Sequence, residues 1–342
     1  MDPTCSDVDR LMNRYYLPVA YSIIFIVGLV GNITSISIYA TKLRPWKSSS
    51  IILVNLALTD LLYVLSMPFL IHYYTNQEAW MLGDFMCRLV RSGFHLNLYG
   101  SILFLTCLAV FRFVVVMKPL KAAQVQQKLW GVAACSAVWI VAAAKITPML
   151  TVISVDVKDN KTSCLDFASS MSGRGMEWYG WLLTALGFLL PLVVVFMCYI
   201  GVAKELEKGP DASSPARMRA RRVTVLILVV FVTCFLPYHV LRAWRIKIQG
   251  CASCMEEIVH AAYIISRPLA GFNTFFNLAL YTLSGEKFRR AFLSAFHCQR
   301  RLQRTVPPGI HDVAIVQINV NSTFPQFSPA SHEFHQSQQC PA

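Results

Sequence analysis

Along the chain, long apolar runs alternate with short polar segments, and seven of the runs are long enough to cross a lipid bilayer. They cover residues 17–42, 49–75, 85–117, 126–150, 178–206, 221–248 and 258–283. A hydrocarbon core about 30 Å thick requires roughly 20 apolar residues in a helix. The runs are continuous, as from Ile51 to Ala57 and from Val223 to Leu236, without the period-two alternation of a membrane barrel. The pattern therefore predicts an all-α membrane protein, a seven-transmembrane-helix bundle.

The polar segments complete the organisation. Residues 1–16, with Asp2, Asp7 and Asp9, read as a short tail that crosses the membrane without a cleaved leader. Residues 17–283 form the bundle. Residues 284–299 place Phe288, Phe292 and Phe296 on one side and Lys287, Arg289 and Arg290 elsewhere, the pattern of a short amphipathic eighth helix on the membrane surface. Cys298 in that segment is a candidate for palmitoylation. From residue 300 to 342 the sequence is polar and aperiodic and reads as a disordered, phosphorylatable tail.

Composition agrees: mean hydropathy is +0.49, with 55% hydrophobic and 14% charged residues in 342. The net charge of +13 raises the question of nucleic acid, but the basic residues are placed by topology instead. Lys42, Arg44 and Lys47 follow the first run, and Lys118, Lys121 and Lys128 follow the third. Six more lie between Lys204 and Arg222 and six between Lys287 and Arg304. All fall on one side if the amino terminus is outside, the positive-inside pattern of a multi-pass membrane protein.

Five of the eleven cysteines, Cys5, Cys87, Cys164, Cys251 and Cys254, then lie outside, where disulfides persist. A Cys87–Cys164 bond would staple the loop before the fifth run over the bundle. Cys5 has two candidate partners, Cys251 and Cys254, and connectivity does not follow from sequence. The Cys251-x-x-Cys254 spacing alone is a weak zinc or redox signal. Asn160-Lys161-Thr162 is a glycosylation sequon in the same outer loop.

Polar residues inside the runs carry the functional information, since a charge at the bilayer centre costs at least about 2.5 kcal/mol. Asp60, Ser101, Asn273 and Asn277 fall near mid-membrane. They are read either as a hydrogen-bonded packing cluster or as a site for a small cation such as sodium. Pro68, Pro148, Pro191, Pro237 and Pro268 recur late in the runs, where kinks open cavities.

At this point the motifs carry a resemblance. Asn32, the string from Leu56 to Asp60, Trp139, Pro191, Phe231-x-x-Cys234-x-x-Pro237 and Asn277-Leu278-Ala279-Leu280-Tyr281 are similar to the rhodopsin-like G-protein-coupled receptors. The resemblance spans residues 15–298. It implies a heterotrimeric G protein as partner, with arrestin and receptor kinases beside it, and activation-switch roles for Arg112, Phe235, Pro237 and Tyr281. Two departures stand out. Phe111-Arg112-Phe113 lacks the acid that normally precedes the arginine, and Phe235 replaces the usual switch tryptophan. The first implies a less restrained Arg112 and higher basal signalling.

Strings such as Arg44-Pro-Trp-Lys, His95-Leu-Asn-Leu-Tyr99 and Ser266-Arg-Pro-Leu269 resemble the branch of the family that senses 2-oxoglutarate, with the succinate and nucleotide branches more distant. The residues agree with that branch. Arg91 and His95 are four apart and share a helix face, Arg242 lies five residues beyond Pro237, and Arg267 precedes Pro268. If the helices pack as in the family, these four converge in an outward-facing cavity, with Tyr21 and Tyr74 as hydrogen-bonding walls. Arginine suits the task because its planar fork clamps a carboxylate with two parallel bonds. Taken singly, His95 reads as a hydrogen-bonded core residue, Arg91 and Arg242 have the alternative of reaching the headgroups, and Arg267 favours the functional reading; Lys145 and Arg245 lie near enough to an interface to snorkel.

The expected function is a receptor for a small dicarboxylate, 2-oxoglutarate first, coupled through a G protein of the Gq type. Nucleotides or acidic lipids such as cysteinyl leukotrienes are the rival ligands, and a dicarboxylate transporter is the rival class. Membrane lipids are expected partners and nucleic acid is not. An enzyme is disfavoured, because no H-E-x-x-H, G-x-S-x-G or phosphate-loop pattern occurs. A retinal pump would need a lysine in the seventh run, which has none.

Overall fold

A computed structural model describes residues 11–158, 161–171, 177–207, 215–248 and 254–294. The expectations for Cys5, Asn160, Cys251, the Cys254 side chain, Cys298 and residues 300–342 fall outside the described residues. Met1–Arg289 form one compact unit; Arg290–Ala342 form another, in which residues 290–294 are described and helical.

Among the described residues, six helices are long and apolar enough to cross a membrane, and all begin within five residues of the expected spans. They are α2 (Ser48–Thr75), α3 (Gly83–Met117), α4 (Lys128–Val152), α5 (Glu177–Glu205) and α6 (Arg217–Ile248), all following α1 (Leu17–Lys42), which is extended at its start by a wide turn at Met12–Tyr16. The helix thus begins inside the expected polar tail, and Tyr16 Oη donates to Ile265 O at 3.2 Å. The seventh run is two helices, α7 (Cys254–Gly271) and α8 (Asn273–Ser284), interrupted at Phe272. Pro268 removes a backbone donor and Gly271 is a poor helix former, so the ladder is weakest there. Gly271 also sits where a Cβ would meet Tyr63 Oη at 2.9 Å. Residues 286–294 are helical, within the expected surface helix.

Helix α3 runs through the bundle and packs on α2, α4, α5 and α6. Its burial is correspondingly extensive, while Ile23, Ile26, Val30 and Ile33 on α1 and Val193, Phe196 and Met197 on α5 are exposed. Such continuous apolar strips suit lipid rather than water.

Prolines shape two helices by one device. Pro191 and Pro237 are each preceded by a five-residue wide turn, Ala185–Leu189 and Phe231–Phe235. There the bond reaches one residue further than in an α-helix, from Leu190 N–H to Ala185 O and from Leu236 N–H to Phe231 O. The wider turn accommodates the carbonyl that the proline ring would otherwise strike. In α6 it brings Phe235 into a T-shaped contact with Phe231, centroids 5.6 Å apart.

The loop from α4 to α5 folds back over one end of the bundle as a hairpin, β1 (Val155–Lys158) paired antiparallel with β2 (Lys161–Cys164). The Cys87–Cys164 disulfide, Cα atoms 5.7 Å apart, ties β2 to the start of α3. Trp80 N–H donates to Thr162 O at 2.8 Å and fixes the hairpin from the α2–α3 side. Strands of four residues are too short to leave a periodic signal, so the sequence pattern predicts none here.

Candidate functional site

Three helices and the stapled loop place cations under the hairpin. On α3 the spacing of four puts Arg91, His95 and Tyr99 on one face; on α7 it aligns Tyr263 with Arg267, and on α6 Tyr238 with Arg242. Arg91 and Arg267 are each 8% exposed and Arg242 is fully buried. Burial of three guanidinium groups in one end of a bundle requires partners.

The partners divide the cations into two groups. Arg91 Nη1 donates to Tyr74 Oη at 3.0 Å and Arg267 Nη1 donates to the same oxygen at 3.2 Å. Arg91 Nη2 also donates to Cys164 O at 2.7 Å, so the disulfide that anchors the loop presents the carbonyl that orients the arginine. Tyr21 stands beside Tyr74 with ring centroids 6.1 Å apart. Arg242 faces the other way. Its Nη1 donates to Tyr99 Oη at 2.7 Å and its Nη2 to Thr184 Oγ1 at 3.0 Å, on α5. The four residues expected to converge in one cavity are therefore split: a cavity of about 20 Å³ is lined by Arg91, His95, Arg267 and Tyr21, but not by Arg242. The aromatic wall explains the separation, since Tyr238 and Phe94 stand in T-shaped contact, centroids 5.3 Å apart, beside His95.

His95 lies between the groups, its Nδ1 3.1 Å from Arg91 O and its Nε2 3.4 Å from Tyr238 Oη. That is the geometry of a satisfied core histidine that also sets the Tyr238 phenol. Lys145 and Arg245, near enough to an interface to snorkel, make contacts within the bundle. Lys145 Nζ lies 5.4 Å from the Tyr99 ring centroid and donates to Leu186 O, while Arg245 Nη2 donates to Ser169 Oγ at 2.9 Å.

One residue that sequence reasoning missed is Asp166. It follows Cys164 by two positions, and the staple carries it into the cavity beside Arg91 and Arg267. Tyr263 Oη donates to its Oδ2 at 2.9 Å and Ser169 N–H to its Oδ1 at 3.2 Å. Burial alone would raise its pKa, but the Arg245, Arg267 and Arg91 charges outweigh burial and hold it well below the usual carboxylate range. The available signal was the acid's nearness to a bonded cysteine. His239, stacked on Phe188 with centroids 4.5 Å apart, was likewise missed, although it lies three residues before Arg242 on the same face.

Each of Arg91, Arg242 and Arg267 retains a buried Nε with no hydrogen-bond partner. The site can thus accept further anionic oxygens, and the Asp166 carboxylate faces three arginines, Arg91 on α3, Arg245 on α6 and Arg267 on α7.

Mid-membrane, the polar cluster centres on Asp60. Asn97 Nδ2 donates to Oδ1 at 2.7 Å and Asn277 Nδ2 to Oδ2 at 2.9 Å. Asn97, overlooked in the sequence, also reaches Ser101 Oγ at 3.4 Å. Asn273 is buried nearby with its Nδ2 unpaired. The arrangement is a hydrogen-bonded network in which each carboxylate oxygen accepts from a side-chain amide.

At the opposite end, Arg112 Nη2 donates weakly to Ser284 O at 3.4 Å and Phe113 packs where Gly201 leaves room. Tyr281 Oη donates to Asn32 Oδ1 at 3.3 Å, and Trp139 Nε1 to Asn55 Oδ1 at 2.8 Å.

Comparison with known proteins gives consistent matches. Residues 31–281 match the family described as 7 transmembrane receptor (rhodopsin family). The chain is 48% identical over 297 residues to 2-oxoglutarate receptor 1 of Rattus norvegicus, covering 86% of this chain and 88% of the relative. It is 47% identical over 297 residues to 2-oxoglutarate receptor 1 of Mus musculus, with the same coverage. It is 37% identical over 314 residues to purinoceptor 1 of Gallus gallus, covering 90% of this chain and 85% of the relative.

Proposed function

The chain belongs to the rhodopsin family of seven-transmembrane receptors, and we propose that it is a plasma-membrane receptor for a small dicarboxylate, 2-oxoglutarate first. In this reading the hairpin end is extracellular, and the ligand acts through a heterotrimeric G protein of the Gq type. Similarity to 2-oxoglutarate receptors at 48% identity supports the ligand class. The observation that carries it is the charge imbalance under the hairpin. Arg91 and Arg267 meet at Tyr74 with the Asp166 carboxylate in the same cavity, and Arg242 stands apart.

Two separated cationic positions suit a ligand with two carboxylates. Arg91 and Arg267 would clamp one end, and Arg242, with Tyr99 and Thr184 beside it, would take the other after Tyr238 and His95 shift. His95 would then act by setting Tyr238. A nucleotide is the competing ligand, since the likeness to the purinoceptor at 37% identity is substantial and phosphates also pair with arginine.

The test is a panel of dicarboxylates, monocarboxylates, nucleotides and acidic lipids applied to expressing cells and read as calcium release. A response to dicarboxylates alone supports the reading, and a response to nucleotides at lower concentration replaces it. Radiolabelled dicarboxylate uptake that scales with expression would instead make the protein a transporter.

A further inference from the structure

The dicarboxylate reading gives Lys145 no task. This residue is half-buried on α4, and Val141 and Ala144 on the same face of that helix are exposed. Across the seam, Leu186, Leu189 and Val193 of α5 form an exposed apolar strip. Trp178 and Trp181, exposed at the start of α5, mark the headgroup level, because tryptophan collects at that boundary. Leu186 lies eight residues past Trp178 and is therefore about 12 Å deeper. The amine that reaches Leu186 thus stands within the hydrocarbon layer, at the seam of α4 and α5, and does not line the cavity under the hairpin.

Its contacts account for its position but not for its charge. Pro191 has no N–H and Leu190 N–H is given to Ala185 O, so the wide turn leaves Leu186 O without a donor from its own helix. Lys145 Nζ donates to that carbonyl at 3.4 Å, and Tyr179 Oη donates back to Lys145 O, which ties the two helices reciprocally. The ammonium also lies 5.4 Å from the Tyr99 ring centroid. All of these partners are neutral, and among the described residues no acid pairs with Lys145. A neutral amide would serve the carbonyl equally well. An ammonium has three N–H donors, of which the carbonyl takes one. A charge inside a span calls for a counter-charge, and the side of Lys145 left open is the one turned to lipid.

We propose that the α4–α5 seam binds a long-chain fatty carboxylate from the bilayer, its head paired with Lys145 and its chain laid along Leu189, Val193 and Val141. These three residues lie on the membrane-centre side of Lys145, so a tail running inward from the amine meets apolar surface. One carboxylate matches one amine, and it is small enough to be drawn below the headgroups. The phosphate of a phospholipid stays at the tryptophan level, about 12 Å away along α5. The inference uses the membrane-spanning fold and not the identity of the dicarboxylate.

The experiment places the full chain in phosphatidylcholine nanodiscs with a diazirine-bearing palmitate, under alkaline conditions that keep the probe ionised, and locates labelled residues by mass spectrometry. Hexadecanol with the same diazirine is the uncharged reference, and the exposed strip of α1, Ile23, Ile26, Val30 and Ile33, is the reference surface. Palmitate should label the seam at least about tenfold more than the α1 strip. Lys145→Gln, which keeps a donor for Leu186 O but removes the charge, should bring the seam down to the α1 level. Lys145→Arg should retain the label, and equal loss in both variants overturns an ionic contact. In the unsubstituted chain, excess unlabelled palmitate should clear the seam and leave α1 unchanged.

Equal labelling of seam and α1, or equal labelling of the seam by palmitate and hexadecanol, overturns the site in favour of general contact with lipid. Persistence of the seam label in Lys145→Gln overturns the role of the amine. Clearance of the seam by 2-oxoglutarate as effectively as by palmitate also overturns the proposal and assigns Lys145 to the soluble ligand. Competition in the unsubstituted chain decides the question even if the substituted chains fold poorly. A chain that ignores dicarboxylates yet passes these tests refutes the ligand reading and leaves this site intact.

Discussion

Arg91 on α3 and Arg267 on α7 donate to one phenolic oxygen, that of Tyr74, at 3.0 and 3.2 Å. Two like charges are thereby held side by side, with Asp166 within the same cavity. Mutual repulsion makes that pair a receptive clamp, because an incoming carboxylate relieves it.

Arg267→Ala is expected to abolish the response to dicarboxylates at unchanged surface expression. Truncating one member of a desolvated charge pair typically costs about 2–5 kcal/mol of binding. Lysine at that position should restore only part, since it keeps the charge without the fork. Concentration–response curves with surface labelling check this, and unchanged potency in the alanine variant would refute the ligand assignment.

Asp166→Asn separates charge from shape. A carboxyl with a lowered folded pKa contributes stability that is fully present above its ordinary unfolded pKa of about 3.9 and is lost only as pH falls through the folded value. The amide variant should therefore melt lower by the same increment at pH 7.4 and at pH 5.5. A decrement that vanishes at pH 5.5 would mean that Asp166 is already protonated there and the arginines do not hold it.

The Cys87–Cys164 bond supplies both a loop anchor and the carbonyl that orients Arg91. Replacing either cysteine with serine should lower surface expression and dicarboxylate potency alike, consistent with the usual cost of about 2–5 kcal/mol for losing a native disulfide. Replacing both should add little, because the single losses remove one shared bond. Additive losses would show that the cysteines act separately.

Arg112 has no acidic neighbour on α3 and reaches only the Ser284 carbonyl at 3.4 Å. Phe111→Asp should restrain it and lower basal signalling by up to about fivefold, the effect of an ion pair worth at most about 1 kcal/mol. Second-messenger level without agonist, at matched surface expression, is the measurement. Equal or higher basal output would remove this account of the Phe111-Arg112-Phe113 departure.

The bundle is legible in the amino-acid order, because a membrane forces any span to satisfy its backbone internally and so writes each helix as a long apolar run. Arg91 and Arg267 are legible too, since a charge inside such a run needs a reason. A spacing of four puts Arg91 and His95 on one helix face however the helices pack. Packing governs the rest. Spacing within one helix does not say which way that helix is rotated, and Arg242 turns toward Tyr99 and Thr184 rather than toward Arg267. Asp166 sits in a loop without periodicity and entered the site through a disulfide formed across 77 residues. The break at Phe272 arises from Pro268 and Gly271 acting together with the close approach of Tyr63, which depends on how α2 packs against α7. Local patterns record what each segment must bury, whereas the partners of buried charges are set by contacts between segments far apart in the chain.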